Sequence, residues 1–193
     1  MFAKKYVPII IILMLLTALG FTSSAAFAYW QDVSKVGNVV IRFGSPDANL
    51  EYEIVHDEFE GELVPEGYVF YEGETDSIVF EYDVWLDRTL VQIMDLSVIA
   101  SDLKIGDSTE YNHLIDITIN GSQMSYSGEL FNDRVRVQVT VRLNEPIDLE
   151  EATNRGLDLS LVNVEDSQQA FEDIKGETIS FKISFSVSPR VEN

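Results

Sequence analysis

Residues 134–143 read RVRVQVTVRL, and every second residue of this stretch is apolar. Alternation with a period of two places apolar side chains on one face of a β-strand and polar side chains on the other. Residues 78–86 and 179–187 repeat the pattern. Strands that each have one apolar face indicate antiparallel sheets that bury this face.

Six weaker stretches also predict strands, whereas helix is scarce. Residues 148–154 have room for two turns that end at Gly156, and Asp166 is placed to cap a second short helix. Asn120-Gly121 is a turn signal. We predict an all-β fold, a two-sheet antiparallel β-sandwich of jelly-roll type with one or two short helices. The weaker predicted strands are 36–43, 50–56, 68–71, 90–100, 114–120 and 157–164.

The first 28 residues have the pattern of an export signal. They contain two lysines near the start, a long apolar run and no acidic residue. Ala26 and Ala28 then provide the small-x-small pattern that a signal peptidase requires. We predict a secretory signal peptide over 1–28, cleaved between Ala28 and Tyr29, and a single domain over 29–193. The alternative is an uncleaved membrane anchor, since this apolar region is long enough to span a bilayer as a helix.

The chain is strongly acidic, with 13 Lys and Arg against 33 Asp and Glu and a net charge of −20. Removal of 1–28 takes away two lysines and no acid, so the mature net charge is −22. We therefore predict no nucleic-acid partner, and membrane contact only before signal cleavage. Absence of cysteine excludes disulfides and, in an exported protein, favours a Gram-positive cell surface over a periplasm.

No catalytic motif is found in the sequence. His56 and His113 are not at zinc-binding spacing, and the G-x-S-x-G and phosphate-loop motifs are absent. We predict no enzyme activity and no catalytic, cofactor or metal residue; a glycosidase would need two shielded carboxylates at a set separation. Acidic stretches at 57–62 and 72–76 could bind calcium weakly, and the simpler interpretation is a solvated acidic surface.

The polar face of 134–143 is unusual because it carries three of the seven arginines of the mature chain. One interpretation is cross-strand pairing with an acidic neighbour, for instance Glu51 or Glu53. The other is a contact surface for a second, acidic subunit. Trp85 lies on the outward face of its own predicted strand and is a further candidate for contact with a partner or a sugar. The three arginines are Arg134, Arg136 and Arg142.

Several short stretches resemble one family. AFA at 26–28 is followed directly by YWQD at 29–32 and then by GNVVI at 37–41. Two further stretches, LVPEGYV at 63–69 and IKGETISF at 174–181, are also similar to sequences of that family. On these residues the chain resembles the TasA/camelysin family of exported bacterial proteins, whose signal peptides are cut by a SipW-type signal peptidase.

The resemblance implies a jelly-roll domain secreted to the cell surface or biofilm matrix, where it self-assembles into fibres, with other matrix proteins as further partners. In TasA-like members the mature N-terminal segment adds as a strand to the next subunit, which here would be residues 29–43. Camelysin is described as a metalloprotease, but the required histidine pair is missing, so this activity is not carried over. The assembly-strand residues implied are Tyr29, Trp30, Asp32, Val39, Ile41 and Phe43.

The sequence therefore leaves two functions open. The first is a self-assembling structural protein of the matrix or surface. The alternative is a non-assembling extracellular module that binds calcium, a glycan or a matrix partner. For the strand at 36–43, the competing interpretation is that it pairs within its own domain until a neighbour displaces it.

Overall fold

A computed structural model describes residues 40–43, 50–56, 62–87 and 89–190, all of which belong to the compact unit that begins at Val33. About half of these residues (49%) form strands against 16% in helices, which confirms the predicted all-β class. The strands are β1 (Val40–Phe43), β2 (Leu50–His56), β3 (Glu62–Leu63), β4 (Glu74–Thr75), β5 (Ile78–Leu86), β6 (Met94–Ile105), β7 (Ile115–Ile119), β8 (Ser122–Gln123), β9 (Ser125–Leu130), β10 (Val135–Leu143) and β11 (Ile179–Pro189). The helices are α1 (Leu149–Arg155) and α2 (Ser167–Ile174), with 3-10 turns at Asn112–Leu114 and Leu159–Leu161.

The described part of the fold consists mainly of two large β-sheets. One has the strand order β1-β11-β6-β9, and the other has the order β2-β5-β10-β7-β8. Strands β3 and β4 form a separate parallel pair. Within the large sheets all described neighbours are antiparallel except β1 and β11, which are parallel.

The inner faces of the two sheets contact each other. Every second residue of β5, β10 and β11 is buried or nearly so, as the alternation predicts. The rings of Phe80 and Phe181 meet edge to face with centroids 6.0 Å apart, and those of Tyr82 and Phe185 do so at 5.8 Å. β5 therefore lies opposite β11, in the middle of the core.

The predicted strand at 68–71 is wrong, because these residues form a loop. The carboxylate of Glu74 accepts hydrogen bonds from the backbone N–H groups of Phe70 and Tyr71, at 2.7 and 2.9 Å. A side chain that satisfies nearby backbone groups offers the chain an alternative to the hydrogen bonds of a sheet. The apolar run YVFY at 68–71 therefore belongs to a loop that Glu74 holds in place.

The predicted strand at 157–164 is wrong for the same physical reason. Asp158 accepts a hydrogen bond from the backbone N–H of Ser160 at 2.9 Å and begins the 3-10 turn. These hydrogen bonds hold the pKa of the Asp158 carboxyl below its usual value. Acidic residues thus end two apolar stretches that the sequence pattern alone assigns to strands.

The helix and turn predictions are confirmed. Asp148 and Asp166 cap α1 and α2 by accepting hydrogen bonds from the N–H groups of Glu151 and Gln169. Gly156 ends α1 in the left-handed region, at a φ of 67°. The Asn120-Gly121 turn joins β7 to β8. The strand β9 was not predicted, because its sequence SYSGEL lacks apolar alternation.

Candidate assembly interface

Only part of the predicted assembly strand falls within the described residues. Ile41 and Phe43 lie in β1, which pairs in parallel with β11 of its own chain, from Val40 opposite Lys182 to Phe43 opposite Phe185. This arrangement is the one that the competing interpretation of the strand expects. The residues outside the described ranges are Ala26 and Ala28 of the cleavage site and Tyr29, Trp30, Asp32 and Val39 of the assembly strand.

Among the residues that the structure describes, β1 is an edge strand of four residues. It pairs with four residues of β11, whereas β6, on the other side of β11, pairs along nearly its whole length from Ile179 to Pro189. β11 is also anchored in the core by Phe181 and Phe185. Departure of β1 would therefore expose one edge of β11 and leave its main attachment intact.

The two sheets are joined along one side, where β8 and β9 connect them. Met124, between these strands, donates its backbone N–H to Ile117 of the five-stranded sheet. Its carbonyl accepts from the N–H of Ala100 in the four-stranded sheet. β9 and β8 are the edge strands here, so β1 and β2 are the edge strands at the other side, as far as the described ranges show. We call this other side the β1–β2 seam.

Apolar side chains of β2 are exposed at this seam. The register places Tyr52 opposite Val84 and Ile54 opposite Tyr82, and directly opposed residues share one face of a sheet. Val84 and Tyr82 are buried, yet Tyr52 is 39% exposed and Ile54 is 41% exposed. The seam is thus a place where core-facing apolar side chains meet solvent.

Arg134 is engaged within its own sheet, on the outward face. Its Nη1 lies 2.5 Å from Oε2 of Glu53, and its guanidinium carbon lies 4.1 Å from the centroid of the Trp85 ring. Arg134 thereby covers part of Trp85, the residue predicted as an exposed contact. This geometry agrees with the interpretation of cross-strand pairing and places the predicted partner Glu53 correctly.

Arg136 forms ion pairs with two carboxylates, whereas Arg134 forms one. It binds Asp83 with two nitrogens, at 2.6 and 3.0 Å, and reaches Glu81 at 3.1 Å. The hydrogen bonds from Arg136 hold the pKa of the Asp83 carboxyl below its usual value, and those from Asp83 raise the pKa of Arg136. Arg142 stands apart, opposite Asp116, and makes no ion pair with any residue that the structure describes.

Possible metal ligands are dispersed in the described part of the chain. Of the acidic stretch at 72–76, Glu74 is occupied with backbone N–H groups. His113 lies in the first 3-10 turn and its Nε2 donates to the carbonyl of Asn163 at 2.8 Å, since a carbonyl only accepts. No three His, Asp or Glu side chains among the described residues are placed to hold a metal ion. The side chain of His56, in β2, is outside the described set.

Two cavities beside His113 were not predicted from the sequence. One has a volume of about 440 Å³ and the other of about 380 Å³, and His113 lines both. Two residues of the first cavity, Asp102 and Met124, have left-handed backbone conformations, with φ values of 55° and 61°. Such conformations in non-glycine residues are unfavourable and are enriched at functional sites.

A second unpredicted feature is a cluster centred on Glu145. Its carboxylate accepts hydrogen bonds from the Tyr68 hydroxyl and from Nη1 of Arg155, the latter at 2.6 Å. Arg155 also binds Glu151, one turn earlier in α1, at 3.0 Å. Only the Glu151–Arg155 spacing is visible in the sequence. The cluster ties the loop around Tyr68 to α1.

Burial and the hydrogen bond to Glu145 raise the pKa of Tyr68 to about 12. Because this pKa is above the unfolded value of 10.0, the stabilisation is complete below pH 10 and is lost as the pH rises to about 12. The Tyr68 ring is partly exposed, so solvent screening reduces the stability that is lost on its ionisation to on the order of 1–2 kcal/mol. We expect Tyr68→Phe to be less stable than wild type by about 1 kcal/mol in urea unfolding at pH 9, the net contribution of the lost hydrogen bond, with the difference shrinking as the pH rises from 10 towards 12 and Tyr68 ionises. Tyr71→Phe is the control, and a difference that persists at pH 12 would contradict the assignment.

Comparison of the chain with protein-family models and characterised proteins, and of its fold with solved structures, finds no match. Within the ranges that the structure describes, no helix is long and apolar enough to cross a membrane.

Proposed function

We propose that the protein is an exported structural protein of the cell surface or biofilm matrix, with a jelly-roll β-sandwich domain, that self-assembles into fibres. Cleavage between Ala28 and Tyr29 by a SipW-type signal peptidase frees residues 29–43, which add as a strand to another copy. The resemblance to the TasA/camelysin family motivates the proposal. The observation that carries it is the β1–β2 seam.

The seam has the features that an added strand needs. An edge strand presents unpaired backbone N–H and C=O groups, and an extended segment of another chain can pair with them. The segment also brings alternating apolar residues, Val39, Ile41 and Phe43, which suit the exposed inner face formed by Tyr52 and Ile54. The exchange replaces the pairing of β1 with its own β11, which in the described part of the chain joins Val40–Phe43 to four residues of β11.

Charge also favours this segment as the donor. Residues 29–43 contain Asp32, Lys35 and Arg42, a net charge of +1, in a mature chain whose net charge is −22. A weakly basic segment is attracted to an acidic acceptor, whereas most other surfaces of two copies repel each other. A contact of this head-to-tail kind does not close on itself and therefore grows filaments.

The test is a substitution in β1 of the full chain, recovered after export. We expect Ile41→Asn to raise the concentration needed for assembly at least about tenfold, since it places an amide on the apolar face of the strand. Ile99→Asn is the matched control, because Ile99 is 47% exposed on β6 and lies away from the seam. Sedimentation and electron microscopy measure assembly, and mass spectrometry verifies an N-terminus at Tyr29.

Wild-type protein that stays monomeric at every concentration, salt level and pH would refute the proposal. The alternative is the binding module, which the two cavities beside His113 favour. In that case, titration of the monomer with calcium or a glycan would perturb the signals of His113, and Ile41→Asn would leave this binding unchanged.

A further inference from the structure

The turn between β7 and β8 contains an asparagine that is prone to react. Asn120 is the one asparagine of the sequence that is followed by glycine. Asparagine is thermally labile, and a following glycine increases this lability because it has no side chain to hinder attack by its backbone nitrogen. Asn120, Gly121 and Ser122 are exposed, so water reaches the turn. A reactive sequence thus lies at an accessible position.

The reaction at such a sequence is intramolecular and needs only water. The backbone nitrogen of Gly121 attacks Cγ of Asn120 and loses its proton, the bond between Cγ and Nδ2 breaks, and Nδ2 leaves as ammonia. The product is a five-membered succinimide ring. Water then opens the ring at one of its two carbonyl carbons. One opening gives aspartate, and the other gives isoaspartate, in which the main chain runs through Cβ.

The sheet uses the side-chain amide of Asn120 in its own hydrogen bonds. β7 and β10 pair in register up to Ile119 opposite Val139, so Asn120 is the next residue along, opposite Gln138. The N–H of Asn120 donates to the carbonyl of Gln138 at 2.9 Å. The N–H of Gln138 donates in return to Oδ1 of Asn120 at 2.8 Å. The side-chain oxygen thus takes the place that a backbone carbonyl has in a regular antiparallel pair.

The other end of the amide is held by the same strand. Nδ2 of Asn120 donates to the carbonyl of Arg136 at 3.3 Å. The backbone conformation accounts for this use of the side chain, because Asn120 and Gly121 have φ values of 47° and 81° and turn the chain out of the ladder towards β8. Both polar atoms of the side chain are therefore bound to β10.

We propose that Asn120 is a site of spontaneous deamidation whose rate is controlled by its hydrogen bonds to β10. Attack by Gly121 requires the amide to rotate and Nδ2 to leave, so both side-chain hydrogen bonds must break first. One hydrogen bond changes an equilibrium by a factor of about two to ten, so the folded chain should react about tenfold or more slowly than the unfolded chain. The inference does not depend on the proposed self-assembly.

The products cannot restore the original hydrogen bonds. A carboxylate at this position still accepts from the N–H of Gln138 but has no hydrogen to donate to the carbonyl of Arg136. Isoaspartate also lengthens the main chain between Ile119 and Gly121, which disturbs the register of β8 against β7. We therefore expect deamidation to loosen this end of the five-stranded sheet.

The test compares folded and urea-unfolded samples of the full chain, recovered after export, at the same mildly alkaline pH and temperature. Peptide mapping by mass spectrometry follows the replacement of an amino group by a hydroxyl, and an isoaspartate methyltransferase assay identifies isoaspartate. We expect the peptide with Asn120 to react about tenfold or more slowly in the folded sample. Asn154 is the internal control and should stay unmodified in both samples, since it is exposed in α1 but is followed by Arg155.

Two substitutions at Gln138 test the hydrogen bond to Oδ1 directly. The N–H and C=O of Gln138 both face Asn120, so Gln138→Pro removes the donor to Oδ1 without removing a hydrogen bond to β5. Gln138→Ala keeps this N–H and is the matched control. In the folded state we expect Gln138→Pro to deamidate about two- to tenfold faster than wild type, and Gln138→Ala at the wild-type rate.

Equal rates in folded and unfolded wild type would overturn control by the sheet, and an unmodified Asn120 in both states would overturn the site itself. Circular dichroism and tryptophan fluorescence verify that Gln138→Pro is folded. A folded Gln138→Pro that reacts no faster than Gln138→Ala would show that the hydrogen bond to Oδ1 does not protect the amide. If Gln138→Pro does not fold, the comparison of folded and unfolded wild type decides the proposal by itself.

Discussion

Phe185→Ala is expected to lower the free energy of unfolding by about 3–5 kcal/mol, the range for truncation of a buried aromatic side chain. Phe185 is 1% exposed and meets the ring of Tyr82 edge to face across the two sheets. Its loss removes apolar burial and leaves a cavity in the middle of the core. Equilibrium urea unfolding of the monomeric protein measures the change as a lower midpoint with an unchanged slope.

Two further variants make this result interpretable. Phe185→Leu retains most of the side-chain volume and should cost less than about 1.5 kcal/mol. Ile99→Ala, at an exposed position, should stay within about 0.5 kcal/mol of wild type. Similar losses for Phe185→Ala and Ile99→Ala would mean that the two sheets do not pack through Phe185.

Ser184→Pro is expected to destabilise the protein by about 3 kcal/mol or more, because proline lacks a backbone N–H and its ring clashes with a neighbouring strand. Ser184 lies in β11 with Arg42 of β1 on one side and Ile99 of β6 on the other. Whichever way its N–H points, a hydrogen bond within the sheet is lost. Thermal and urea unfolding measure the loss.

Ser184→Ala separates the backbone effect from the hydroxyl, and should change stability by less than about 0.5 kcal/mol. The same proline variant bears on assembly, since β11 borders the seam where a donor strand would add. A proline variant as stable as wild type would show that β11 is not an inner strand of the sheet.

Local features of the fold were predictable because their causes lie within a few residues. The alternation in 78–86 and 134–143 places the buried faces correctly, since side-chain direction in a strand depends only on position parity. Asp148 and Asp166 begin helices because their carboxylates reach backbone N–H groups three residues on. The errors at 68–71 and 157–164 arose where an acidic side chain formed a turn that the apolar pattern does not reveal.

The candidate interface was predictable only in part. The pairing of Arg134 with Glu53 followed from strand alternation and charge, because both lie on outward faces. The stacking of Arg134 on Trp85 depends on the register of three neighbouring strands, which alternation does not specify. The Glu145 cluster joins residues 77 positions apart in the sequence, and no spacing rule connects Tyr68 with Glu145.

The all-β class, the buried face of the main strands, the helix caps and the Asn120-Gly121 turn could all be predicted from the sequence alone. Each of these follows from interactions between near neighbours in the chain. The three-dimensional fold was needed to show that β1 lies parallel to β11 and that Tyr52 and Ile54 are exposed at a seam. These features depend on which distant segments pair, and many pairings are compatible with the same local pattern.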